Sequence, residues 1–149
     1  MSIQRLLLIS LLFFSTMMVS YANIGIEPLR IELTAAPGER LTGEYVITNT
    51  VGRPMMITVK QRKYFTLPAN KKIKNSWFKL ETKKFKLDPD DSKTVSYTIT
   101  VPKKAVGFLC LLNSFKQEKI DTDGSVKQEM LNTAFSVPVY VRIKGREDL

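Results

Sequence analysis

Three groups of residues in this chain carry side chains able to do chemistry: the carboxylates Asp88, Asp90 and Asp91, the thiol of Cys110, and the lysines gathered between positions 60 and 86. Three closely spaced carboxylates could in principle hold calcium or divide into an acid and a base. The run Asp88-Pro89-Asp90-Asp91-Ser92 lacks the longer, regularly spaced ligand loop that calcium requires, and its composition is that of a turn. Cys110 is the only cysteine and sits in the apolar run Phe108-Leu109-Cys110-Leu111-Leu112. A single thiol closes no intramolecular disulfide, and no neighbouring cation is available in that run to lower its pKa, so a buried, inert thiol is expected.

The chain contains no histidine, which removes the commonest general base and zinc ligand. Its seven glycines are scattered and form neither GxxxxGK nor GxGxxG, so no phosphate-cradling loop is read. The expectation is a protein that is not an enzyme, with no catalytic, cofactor-binding or metal-binding residues.

The basic residues Lys60, Arg62, Lys63, Lys71, Lys72, Lys74, Lys79, Lys83, Lys84 and Lys86 account for much of a formal net charge of +9. Residues 1–22 carry a single charge, Arg5, so their removal leaves +8. A solvated lysine-rich face accounts for this pattern, with an anionic envelope surface as a possible contact. No nucleic-acid partner is expected. Affinity for DNA should be weak and erased by salt, as counterion release alone would give.

These residues must be positioned by the rest of the chain, and its first segment reads as an address. Met1 to Arg5 carries the positive charge, Leu6 to Val19 is a nearly unbroken apolar run, and Ser20-Tyr21-Ala22 places small residues where a signal peptidase reads them. The apolar run is shorter than the roughly 20 residues that span a hydrocarbon core. A signal peptide over 1–22 cleaved between Ala22 and Asn23 is predicted, giving a periplasmic or secreted protein with no integral membrane span.

The remainder alternates with the period of strands. In Thr94 to Val101, Val95, Tyr97, Ile99 and Val101 fall on one side and Thr94, Ser96, Thr98 and Thr100 on the other; Pro102 ends the ladder. Ile24 to Leu33 reads as a strand with Leu29, Ile31 and Leu33 on its buried face and a bend or edge at Pro28. Strands are also predicted over Leu41 to Asn49 and Met55 to Tyr64, where one of Met55 and Met56 must face outward. Thr66 to Ser76 reads as a long connection, after which Trp77, Phe78 and Phe85 are core or core-edge residues. Phe108 to Leu112 reads as buried on both faces, and Asp123-Gly124 as a hairpin turn. Leu131 to Ile143 alternates for thirteen residues and reads as the longest strand, at an edge. About seven strands with these turn signals predict an all-β, immunoglobulin-like antiparallel sandwich over residues 23–145, followed by a short tail at 146–149.

The order of these pieces resembles a known family. A leading strand PLRIEL (28–33), a Pro-Gly-Glu turn (37–39), a strand ending VITNT (46–50), a basic middle and FKLDPDDSKTVSYTITVP (85–102) precede a long last strand. The arrangement is similar, over nearly all of residues 24 to 144, to the PapD-like immunoglobulin-fold domain, the N-terminal domain of periplasmic pilus chaperones and their relatives. The resemblance implies an exported, chaperone-like, protein-binding domain that assists assembly or secretion of pili, fimbriae or other envelope proteins, in which the last strand is added to a client's incomplete sheet. It implies that Arg30 matches the family's first-strand arginine, which with a last-strand lysine holds the client's terminal carboxylate. Pro138 stands about where that lysine lies, and Arg142 and Lys144 follow. Val137, Val139 and Val141 would supply the alternating side chains given to the client. The second immunoglobulin-like domain of those chaperones has no counterpart here, so a single domain is expected. The other readings are a structural subunit of a surface appendage or envelope complex, and a basic domain that binds anionic envelope polymers.

Overall fold

The computed structural model describes residues 24–120, 126–127 and 134–146. The predicted signal segment, the turn around Gly124 and the first residues of the predicted last strand, 131–133, lie outside the described residues. The described chain is built from strands β1 (Ile24–Glu27), β2 (Ile31–Ala35), β3 (Arg40–Asn49), β4 (Met55–Lys63), β5 (Phe78–Leu80), β6 (Lys84–Leu87), β7 (Ser92–Thr100), β8 (Phe108–Ile120), β9 (Val126–Lys127) and β10 (Ala134–Ile143), with two short 3-10 turns at Pro68–Asn70 and Asn75–Trp77. They form two sheets. One has the order β1-β3-β7-β5, the other β2-β10-β8-β4-β6 with β9 on the far end of β8.

The alternation in the sequence becomes the two faces of each sheet. In β7, Val95 and Ile99 are buried while Thr94, Ser96 and Thr100 are exposed. In β4, Met55, Ile57 and Val59 point into the core and Met56 lies on the other face, half-buried. The inner faces close around Tyr45, Phe78 and Phe115, with Ile47, Ile57, Ile99 and Leu111 among the fully buried residues. Tyr45 packs edge-on against Phe115, with ring centroids 5.2 Å apart, and Phe78 stacks on Tyr97 at 5.0 Å. Such pairs add to the area they bury. Trp77 and Phe85 are buried as well.

The turns follow their composition. Glu39 N–H donates to the Ala36 carbonyl at 3.0 Å around Gly38, whose φ of 81° is one that glycine adopts without steric cost. Asp88 to Asp91 closes with Asp91 N–H donating to the Asp88 carbonyl, and Asp90 sits at φ 62°, a conformation that aspartate tolerates better than most residues. These aspartates shape a turn. Among the described residues there is no group of three or more His, Cys, Asp or Glu side chains placed to hold a metal.

Three elements differ from the sequence reading. The segment Ile24 to Leu33 is two strands: β1 pairs antiparallel with β3 in one sheet, and β2 pairs parallel with β10 in the other. The chain crosses between sheets at the cis bond Glu27–Pro28 and the following Leu29 and Arg30, so Leu29 is exposed rather than buried. Next, β8 is the longest described strand, thirteen residues against ten for β10. Finally β10 is not at an edge, because β2 lies along one side of it and β8 along the other. Alternation reports which face of a strand is buried, not which strands flank it. No helix among the described residues is long and apolar enough to cross a membrane.

Candidate partner-binding surface

The strands place the predicted site residues in two classes. Val137, Val139 and Val141 occupy the inward positions of β10 and are 1%, 0% and 0% exposed. Their side chains are core, and the idea that they are given to a partner is corrected: the parity of β10 against β8 turns them toward the facing sheet. Arg30 and Arg142, by contrast, meet on the outer face. Together with Tyr140, Phe108, Glu32 and neighbouring β2 residues they line an open pocket of about 530 Å³.

The parallel register explains this meeting. Val139 lies opposite Ile31 and Arg142 opposite Thr34, so Arg30 sits just ahead of β2 at the level where Pro138 enters the ladder. The Arg30 guanidinium pairs with Glu32 and lies 5.3 Å from the centroid of the Tyr140 ring. Both members of the ion pair are more than half exposed, so it is weak and a competing carboxylate could displace Glu32. The aromatic strip continues from Tyr140 to Phe108, 6.4 Å away, and on to Phe65, stacked on Phe108 at 5.7 Å. Leu29, Tyr64 and Phe65 are exposed large apolar residues. Scattered ones are ordinary, but Phe65 belongs to this strip and Leu29 directly precedes Arg30 in the chain.

Beside it the main chain is open. β8 pairs with β10 from Ala134 to Arg142, whereas β2 pairs only from Val139 to Ile143. Among the described residues no strand lies on the outer side of Ala134 to Pro138. The overall edge prediction was wrong for β10, yet this half of the strand keeps a free side. Pro138 has no N–H to offer there.

Cys110 lies under the same strip. Burial pushes its thiol up from its ordinary value, partly offset by a hydrogen bond with Tyr140. Little thiolate forms at neutral pH. In the native protein a thiol-reactive dye should therefore label Cys110 at least about tenfold more slowly than in urea; equal rates would contradict its burial.

Sequence reasoning missed Leu29, Tyr64, Phe65 and Tyr140. Adjacent aromatics Tyr64-Phe65 at the end of a strand were the available signal, since neighbours on an extended chain cannot both face one core.

No protein-family model matches the chain, and no curated protein matches it by sequence. Solved structures do. PapD-like domain 7 of human CEP192 is similar with a TM-score of 0.64 at 11% identity, covering 82% of this chain and 85% of that one. The fold is PapD-like. SSP-19, an MSP-domain protein like family member in Caenorhabditis elegans, is similar with a TM-score of 0.56 at 11% identity, over 78% of this chain and 97% of that one. The CsuC–CsuE chaperone–tip adhesion subunit pre-assembly complex of Acinetobacter baumannii matches with a TM-score of 0.57 at 14% identity, over 83% of this chain and 58% of the matched one. This chain thus spans somewhat under two thirds of that chain's length. In this PapD-like sandwich the free side of β10, Leu29 and the Arg30–Tyr140 pair lie together where the first strand changes sheets.

Proposed function

We propose that this chain is an exported, periplasmic or secreted protein-binding domain that acts as a chaperone in the assembly or secretion of surface fibres or other envelope proteins. The observation that carries the reading is that, among the described residues, no strand covers the outer side of Ala134 to Pro138, on a strand otherwise paired on both sides. An extended segment of a partner can hydrogen-bond there by strand addition, with Leu29 and the aromatic strip covering its apolar side chains and Arg30 taking a carboxylate from Glu32. The CsuC–CsuE complex, a chaperone with a tip adhesion subunit, supports this use of the fold. The pattern of residues 1–22 supports export. The role is binding rather than catalysis, and the partner is a protein rather than a nucleic acid.

The test is photo-crosslinking from positions 29 and 136 in cells that express the protein, followed by identification of the captured proteins and affinity measurement with the purified partner. Envelope or fibre-subunit proteins should be captured. Arg30→Ala and Leu29→Asp should each weaken the purified complex by about tenfold, the loss of one charge-assisted contact or one apolar contact. Lys84→Ala, on a different strand, should leave it unchanged. Folded Arg30→Ala and Leu29→Asp variants that bind with full affinity would sink strand addition at this edge.

A further inference from the structure

A second surface lies on the other sheet, away from the proposed partner edge. A cleft of about 850 Å³ opens over the end of the β1-β3-β7-β5 sheet. Thr98 and Thr100 of β7 line it, with Arg40 of β3 and Lys79 of β5 on the flanking strands. Two connections add the remaining charge: Lys72 and Lys74 from the segment before β5, and Lys103 and Lys104 from the turn after β7.

No carboxylate lines this cleft, and none of its six cations makes an ion pair with a described residue. Like charges drawn around one concavity repel each other, and an anion placed among them relieves that repulsion. The type of cation narrows the anion. Five of the six are lysines, whose ammonium groups act as point charges on flexible stems. A planar carboxylate is best met by a guanidinium fork, whereas tetrahedral phosphate oxygens accept ammonium donors from many directions. The threonine hydroxyls add donors along the sheet. Shape argues against a bilayer: the site is concave, the exposed apolar side chains Leu29, Tyr64 and Phe65 lie outside it, and the apolar residues that line it are buried (Trp77) or half-buried (Ile73 and Pro102), so none projects to insert among acyl chains.

We propose that this cleft binds a linear polymer of the polyphosphate kind, not a nucleic acid, through its backbone charge. Binding reads charge and phosphate geometry, and falls steeply with salt as counterions are exchanged. It is independent of strand addition at β10, because the two surfaces share no residue.

The experiment titrates the purified protein with fluorescently labelled inorganic polyphosphate at several salt concentrations. It compares two variants that lose the same charge, one with Lys72, Lys74, Lys103 and Lys104 changed to Gln, the other with Lys60, Lys63, Lys83 and Lys84 changed to Gln. All eight side chains are exposed, so both variants should fold, which circular dichroism checks. The first should lose about tenfold or more in affinity at low salt and show a shallower salt dependence, and the second should stay within about threefold of the parent. Equal losses in both variants would show that net charge alone is read and overturn the site. Poly-glutamate at matched charge should bind at least about tenfold more weakly than polyphosphate. Equal affinity would reassign the cleft to acidic protein segments, and binding to phosphatidylglycerol vesicles without polyphosphate binding would reassign it to a membrane.

Discussion

Val139→Asp unfolds the domain. Val139 is wholly buried at the point where β10 is flanked by both Ile31 of β2 and Leu111 of β8. Removing its side chain forfeits about 1.5–3 kcal/mol of apolar burial, and a carboxyl group in its place adds a desolvation cost of several kcal/mol even if it stays protonated. A domain of this size is stable by about 5–15 kcal/mol, so the change consumes much of the total. The expected result is loss of soluble protein or of the β-sheet signal in circular dichroism, and a collapsed urea midpoint in whatever remains. Ser136→Asp, three residues earlier on the outward face, should stay within about 0.5 kcal/mol of the parent. A Val139→Asp variant as stable as the parent would overturn the inward assignment of β10. Lost partner binding in Val139→Asp therefore says nothing about contact, and the edge has to be tested from Leu29, Arg30 and Ser136.

What the sequence made legible was local. Period-2 alternation identified β3, β4 and β7 and the buried side of β10, and composition located the turns at Gly38 and Asp88 to Asp91. Alternation is a property of one strand, whereas neighbours are set by pairing between segments far apart in the chain. The crossing at Glu27–Pro28 shows the difference. Ile24 and Ile26 face the core from even positions and Ile31 from an odd one, so the alternation changes phase across Pro28, but a change of phase marks a break in a strand and does not say that β1 and β2 belong to opposite sheets. From that crossing follow the exposure of Leu29, the parallel pairing of β2 with part of β10, and a side of Ala134 to Pro138 with no strand on it among the described residues. The candidate surface was legible through its charges, Arg30 and Arg142, but not through the aromatic strip that joins them. Tyr140, Phe108 and Phe65 come from three separate segments and touch only in the fold.

A buried asparagine is expected to matter as much to stability as a large apolar core residue. Asn49, the last residue of β3, has no exposed surface, and its side-chain amide ties together three pieces of chain. Nδ2 donates to the Arg53 carbonyl at 2.9 Å and to the Leu87 carbonyl at 3.1 Å, while Oδ1 accepts from Val51 N–H at 2.9 Å. Its own backbone donates to the Asp91 carbonyl and accepts from Asp90 N–H, both at 2.9 Å. One residue thus joins the β3–β4 turn to the β6–β7 turn across the end of the sandwich. Asn49→Ala removes all three side-chain bonds and leaves the buried Leu87 carbonyl without this donor. A lost bond costs about 1 kcal/mol and an orphaned buried group about 1–3 kcal/mol, so a total of about 3 kcal/mol is expected. That corresponds to a fall of roughly 10 °C in Tm for a domain of this size. Asn49→Asp separates the geometry from the chemistry. Its oxygens can still accept from Val51 N–H, but an ionised carboxylate has nothing to donate and would face two carbonyl oxygens. It should therefore destabilise at least as much as alanine, with the deficit shrinking as the carboxyl is protonated at low pH. An Asn49→Asp protein with the parent's urea midpoint at neutral pH would mean that the two donated bonds carry no weight in holding the turns together.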